Sequence, residues 1–389
     1  MELTLLFFLL PVALLCGWWF GRKSVAAGDE GKQAGFSTEY FKGLNFLLNE
    51  QPDKAIDVFV RMLEVDSETV ETHLALGNLF RRRGEGDRAI RIHQNLIARP
   101  SLSKSQRALA LYELGQDYLK AGLLGRAESL FSELVEHSEY RTEALDKLLD
   151  IYQQEKDWDK AVNAARRISS FSGRDMSQLI AQFLCEQGDQ ALANRDMKAA
   201  ARLSKRALGY DKSCVRASIL QADIDRANGN YKAAIKSLKH VEQQGAQYIP
   251  EIIERLMKCY RETGRLEEAE RYLEFLLDKH GGISPLLALV DLLRQRVGDR
   301  EASERIAAFM RERPSVRGLD RLIELNLLNS NGAARENLLI LKELTRKLLE
   351  DKAAYRCGHC GFKGKVMHWQ CPSCKNWRSI TPVFGVVGE

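Results

Sequence analysis

Apolar positions along the chain fall into two regimes. Leu3 to Phe20 is an 18-residue run without a charged side chain, followed at once by Arg22 and Lys23. At ~1.5 Å per residue such a run spans ~27 Å, enough for a bilayer core of ~30 Å, so it predicts a transmembrane helix. Trp18 and Trp19 read as an interfacial belt, and the two cations as the positive-inside flank. No Lys or Arg precedes the run, which argues against a cleavable signal, and Leu15 before Cys16 argues against a lipoprotein site. The pattern therefore predicts an anchor over 1–23 with its N-terminus outside, a linker over 24–35, and everything beyond in the cytoplasm. From about residue 36 to about residue 350 the chain is charged, helix-forming and nearly free of proline.

That second stretch is too long for one compact core, so it needs a repeat. Ala55, Ala89, Ala127, Ala161, Ala200, Ala234, Ala269 and Ala302 recur at spacings of 34, 38, 34, 39, 34, 35 and 33. Leu76-Gly77-x2-Phe80-x3-Gly84-x4-Ala89 is repeated as Leu114-Gly115-x2-Tyr118-x3-Gly122-x4-Ala127. Later units keep less, with Gly229 and Ala234, then Gly264 and Ala269, marking only the turn and the small residue. This resembles the tetratricopeptide repeat, a helix-turn-helix unit of 34 residues whose small positions let two helices approach closely. The expected fold is all-α, a superhelix of about eight to nine units over 36–350. The two longer steps predict longer loops near 101–105 and 169–175, candidate kinks or divisions of the array.

Arrays of this kind bind other molecules through the exposed face of the first helix in each unit. In the second unit that face predicts Glu71, Leu74, Asn78, Arg81 and Arg82; in the third, Tyr112 and Gln116, with Leu109 and Leu119 beside them. Arg81-Arg82-Arg83, with Arg88 and Arg91, forms a basic cluster able to pair with an acidic partner, or simply a solvated face.

The C-terminal tail carries the sharpest chemistry. Cys357-x2-Cys360 and Cys371-x2-Cys374 are two pairs ten residues apart, the spacing with which four thiolates wrap one metal ion. Gly361 after the first pair is free to take a positive φ, and Pro372 stiffens the second turn. Two disulfides or four unrelated thiols are the alternative, the former disfavoured in a reducing cytoplasm. Residues 351–389 are thus expected to be a small four-cysteine metal module of the rubredoxin-like or zinc-ribbon type, binding zinc or iron. Cys185, Cys214 and Cys259 fall in helical stretches as small apolar residues.

Formal net charge is +5, all of it in 352–389, where six basic residues face Glu389. Such a tail has three candidate counterparts: nucleic acid, anionic lipid, or an acidic surface of the repeats. The last is preferred, since a module this small gains most from packing on a larger body. No GxxxxGK, GxSxG or HExxH is present, so the residues point to no enzyme.

An anchor, a repeat array and a four-cysteine tail, together with His73-Leu-Ala-Leu-Gly-Asn-Leu-Phe-Arg-Arg-Arg-Gly-Glu85, Asp87-Arg-Ala-Ile-Arg-Ile-His-Gln94, Tyr355-Arg-Cys-x2-Cys-Gly-Phe362 and Trp369-x-Cys-Pro-Ser-Cys374, resemble the lipopolysaccharide assembly protein B (YciM) family of Gram-negative bacteria. The resemblance covers the whole chain. It implies a non-catalytic inner-membrane regulator of lipopolysaccharide synthesis, working with the membrane protease FtsH to promote degradation of the deacetylase that commits precursors to lipid A. A scaffold for other lipopolysaccharide assembly proteins, or a tethered redox protein, are the alternatives. The resemblance also makes Cys357, Cys360, Cys371 and Cys374 the metal ligands, with the module packed on the repeats; no nucleic acid is expected. One departure from rubredoxin is Lys375, where glycine follows the second pair, and this favours a structural ion over electron transfer.

Overall fold

Every recurring alanine occupies the same place in the fold: it is the fourth residue of a helix, and it is fully buried. The computed structural model describes residues 38–49, 51–65, 70–137, 139–350 and 352–389. The predicted anchor and linker lie outside them. Among the described residues no helix is long and apolar enough to cross a membrane.

The described helices form nine antiparallel pairs. The first four are α1 (Thr38–Leu48) with α2 (Pro52–Val65), α3 (Val70–Arg83) with α4 (Gly86–Ile97), α5 (Lys104–Lys120) with α6 (Leu124–His137), and α7 (Arg141–Glu155) with α8 (Trp158–Ser172). Next come α9 (Ser177–Ala193) with α10 (Met197–Tyr210), and α11 (Val215–Ala227) with α12 (Tyr231–Gln244). The last are α13 (Ile249–Thr263) with α14 (Leu266–His280), α15 (Ile283–Val297) with α16 (Asp299–Glu312), and α17 (Val316–Leu327) with α18 (Gly332–Glu350). The chain forms two compact units, divided between Ala144 and Leu145 within α7.

In the first unit, small residues on the first helix of a pair admit a large side chain from the second. A Cβ on Gly43 would lie 2.6 Å from the Phe59 ring, one on Gly77 2.3 Å from His93, and one on Gly115 2.8 Å from Phe131. Phe59, His93 and Phe131 each stand four residues after a recurring alanine, so one sequence rule builds all three contacts. The tight turn between helices is equally regular. The residue five before the alanine has positive φ at Gly84, Gly122, Gly229 and Gly264, and also at Lys156 and Arg195. The turn therefore persists in units whose sequence has lost the glycine.

The longer steps are resolved differently from expectation. Among the described connections between repeat helices only 98–103 is conspicuously longer; much of the extra chain lengthens the first helices instead, α5 and α9 reaching 17 residues each. Nor does the division of the chain fall at either place, lying instead within α7.

In the second unit a core of aliphatic and aromatic residues runs from Val215 to Leu325, and Met367 and Trp369 of the tail pack against it. The tail folds as three short antiparallel strands in the order β2-β1-β3: β1 (Tyr355–Cys357), β2 (Lys363–Gly364) and β3 (Ile380–Pro382). Tyr355 pairs with Gly364 on one side and Pro382 on the other.

Candidate metal centre and its seat on the repeats

Two tight turns bring the four predicted ligands together. In the first, Cys357 N–H donates to Phe362 O at 2.8 Å and Gly361 N–H to Cys357 O at 3.1 Å, with Gly361 at φ 77°. The second is its equivalent: Cys371 N–H donates to Asn376 O and Lys375 N–H to Cys371 O, both at 2.9 Å. Lys375 takes the place of Gly361 and adopts the same left-handed backbone, φ 59°.

All four sulfurs lie within 4.8 Å of one another, with Cys357 to Cys374 at 3.8 Å and Cys360 to Cys371 at 3.7 Å. Tetrahedral coordination with metal–sulfur bonds of about 2.3 Å requires sulfurs about 3.8 Å apart, so the donor set fits one ion. The surroundings treat the sulfurs unequally. The Ser379 hydroxyl, 3.3 Å away, and backbone N–H groups hold Cys357 well below the usual thiol range. The Phe362 N–H lowers Cys360, while burial pushes Cys371 up. Asn376 Nδ2 donates toward Cys374 at 3.6 Å. A divalent ion bound here supplies charge to offset the thiolates and a crosslink between the two turns. Zinc and iron both suit this geometry.

The module is seated on the repeats of the second unit, as expected, but chiefly through aromatic residues. The Trp377 indole N–H donates to Gln153 Oε1 at 2.8 Å, and its ring meets Trp158 and Phe183 edge-on at 6.1 and 5.7 Å. The buried Arg216 guanidinium lies over the same ring, held from behind by Glu186 at 2.8 Å and Asp189 at 2.6 Å. Trp369 packs on Tyr248, whose hydroxyl donates to Ile380 O. Tyr355 hydroxyl donates to Glu251 at 2.6 Å; burial first, and then this carboxylate, raise the phenol.

The tail's positive charge meets the repeats at Arg378, paired with Asp211 at 2.8 Å. Lys352, Arg356, Lys363, Lys365 and Lys375 remain exposed. The one acid of the tail also docks. Glu389 pairs with Arg317 and accepts from Ser284 Oγ at 2.7 Å. Sequence reasoning missed the repeat side of this seat, because Gln153, Asp211, Tyr248 and Glu251 carry no spacing that distinguishes them from other helix residues.

The residues predicted for a binding face lie in the first unit and are placed unevenly. Glu71 and Arg82 are exposed, whereas Asn78, Tyr112 and Gln116 are half-buried. Leu74 sits in the core with Leu96 and Ala110 and offers little exposed surface, because it turns toward the next pair. Arg81 is already engaged: it pairs with Glu113 at 2.6 Å and Asp117 at 2.8 Å on α5, and also donates to Asn78. Asp117 in turn bonds the buried His93 ring at 2.5 Å.

Comparison with known proteins agrees with both parts. The family model described as rubredoxin metal binding domain matches residues 355–382, and tetratricopeptide-repeat models match 72–108 and 185–248. The chain is 39% identical over 388 residues to lipopolysaccharide assembly protein B of Escherichia coli K12, covering 99% of this chain and 100% of that one. It is 35% identical over 391 residues to the protein of the same name from Haemophilus influenzae, covering 98% of each. Among solved structures it is similar to the C-terminal part of a tetratricopeptide-repeat protein from Cytophaga hutchinsonii, with a TM-score of 0.38, 11% identity, and coverage of 68% of this chain and 98% of that one.

Proposed function

Because the chain belongs to the lipopolysaccharide assembly protein B family, we propose that it is a non-catalytic adaptor in lipopolysaccharide synthesis, one that presents the committed-step deacetylase to the membrane protease FtsH. Its repeats hold a substrate or regulator, and the metal module braces the C-terminal part of the second unit. The observation that carries this reading is the seat of the module. Trp377, Arg378, Tyr355 and Glu389 each bond a different region of the repeats, so the ion stiffens a binding scaffold rather than facing a substrate.

The uncharged run Leu3–Phe20 is the proposed inner-membrane anchor, with the N-terminus periplasmic and the repeats and module cytoplasmic. Confinement to the membrane plane raises the effective concentration of the adaptor near a membrane protease. The test is the half-life of the deacetylase in cells with and without this protein. The adaptor reading expects marked stabilisation of the deacetylase on depletion, and no further effect once FtsH is inactive. An unchanged half-life would replace it with a scaffold for other assembly proteins.

A further inference from the structure

The repeat position eight residues before the recurring alanine holds Arg81, Gln153, Arg226, Arg261 and Arg294 in five of the pairs. Two of these show what the position does. Arg81 reaches forward to Glu113 and Asp117 on the first helix of the next pair, and Gln153 accepts the Trp377 indole of the docked module. In these two the side chain meets what packs against its helix, whereas Arg226 and Arg294 pair with Asp223 and Asp299 of their own helix pair.

Arg261 has lost the partners that Arg81 enjoys. Counted from the alanine of the following pair, Glu113 and Asp117 correspond to Ala288 and Leu292. Neither offers an acceptor, and among the described residues Arg261 takes part in no ion pair. In front of it lies a cavity of about 390 Å³ lined by Arg261, Asp291, Arg294, Gln295 and Arg321, drawn from α13, α15 and α17. Arg321 is held by Asp291 and by Glu324, and Arg294 by Asp299 at 2.7 Å. Arg294 and Arg321 are thus already paired, and Arg261 is the guanidinium of the lining that no carboxylate meets among the described residues. The metal module contacts the other ends of these helices, at Glu251, Ser284 and Arg317. Ten residues of helix, ~15 Å, separate Glu251 from Arg261 and leave the cavity open.

We propose that this cavity binds a pair of carboxylates from an acidic peptide segment, standing where Glu113 and Asp117 stand for Arg81. The planar guanidinium fork matches a carboxylate in two parallel hydrogen bonds, as Arg296 does with Glu270. With Arg294 and Arg321 held by acids of the chain, a peptide carboxylate supplies the charge that Arg261 lacks. Gln295 adds an amide suited to a peptide backbone. The site deepens the adaptor reading, on which it rests for the partner being a protein.

The test measures fluorescence anisotropy of the full chain with a labelled hexapeptide of alternating Glu and Asp. The controls are its Gln/Asn counterpart and inorganic phosphate as competitor. Saturable, salt-sensitive binding is expected, weakened roughly ten- to hundredfold by Arg261→Glu and less by Arg261→Gln, with an unchanged melting temperature. Arg261 is exposed and unpaired, so both variants should fold; should Arg261→Glu not, Arg261→Gln carries the comparison. No binding by the parent chain, equal binding by both Arg261 variants, or equal affinity for the Gln/Asn peptide would each overturn the proposal. Phosphate displacing the peptide at submillimolar concentration would reassign the cavity to phosphate and overturn it too. Peptide binding by purified protein needs no protease, so an unchanged deacetylase half-life would remove the adaptor reading and leave this site standing.

Discussion

Trp377 donates its indole N–H to the side-chain oxygen of Gln153 across 224 residues of sequence, at 2.8 Å. Around that bond the ring is enclosed by Trp158, Phe183 and Arg216. Truncating a fully buried aromatic costs about 3–5 kcal/mol, and Trp377 is half-buried. Trp377→Ala is therefore expected to weaken the seat by about 2–3 kcal/mol. The readout is limited proteolysis between 352 and 354, together with thermal unfolding. Faster release of the module from otherwise helical protein is the expected result. A module as well protected as in the parent would show that Trp369 and Tyr355 alone hold it.

The ion is expected to fold the module rather than the repeats. The strands of the tail are two or three residues long and its core is centred on Cys357, Cys371 and Ile380, too little to stand without a crosslink. Cys360→Ser should lose stoichiometric metal and shift the Trp369 and Trp377 fluorescence, while far-UV circular dichroism keeps nearly all its helical signal. Colourless protein with one zinc per chain would identify a structural ion; a reversible visible iron spectrum would instead favour redox chemistry. Full metal content in Cys360→Ser would remove that residue from the ligand set.

Much of this architecture was legible in the sequence because each signal has one physical cause. The alanine must be small where two helices cross, so its recurrence marked every pair except the last, where Arg335 takes the fourth helical position. Two cysteine pairs marked the metal site because four thiolates around one ion need that spacing. Seats made of ordinary helix residues were not legible. Gln153 and Arg261 share one repeat position, yet one meets the metal module and the other a cavity. Which applies depends on residues from other pairs, and no local pattern carries that. Leu74 misled for a similar reason: Leu96 and Ala110 close over it, and no pattern on its own helix carries that.

Left-handed turns filled by lysine or arginine leave room for improvement. Lys156, Arg195 and Lys375 hold positive φ where sister turns carry glycine. A side chain costs roughly 1–2 kcal/mol in that region, offset in part by the extra freedom glycine gives the unfolded chain. Lys156→Gly and Lys375→Gly should each stabilise by up to ~1 kcal/mol, read from denaturant midpoints. Destabilisation by either would mean that its side chain makes a contact worth more than the backbone strain.

Gly77 should be among the least replaceable residues of the first unit. A Cβ there would stand 2.3 Å from His93 Nε2, and His93 is fully buried and tied to Asp117. Overpacking of this kind costs about 1–3 kcal/mol, whereas Gly86→Ala, with open space around it, should be nearly neutral. Comparing the two variants by thermal unfolding separates steric cost from glycine loss as such. Equal melting temperatures would show that His93 yields without penalty.

Acid should weaken the second unit through Glu242. Lys279 and His280 donate to one of its oxygens at 2.8 and 2.7 Å, and these bonds, Lys279 first, lower its pKa from the ordinary 4.5. A carboxyl lowered in the folded state binds protons more readily when unfolded. Its contribution is therefore complete above 4.5 and lost as pH falls through the lower folded value. Because Glu242 joins α12 to the end of α14, the loss loosens two neighbouring pairs. Glu242→Gln should melt earlier than the parent at neutral pH and lose less on going from pH 5 to about pH 3. Parallel acid profiles for the two proteins would place the acid sensitivity elsewhere, with the other ion-paired carboxylates of the second unit as the next to test.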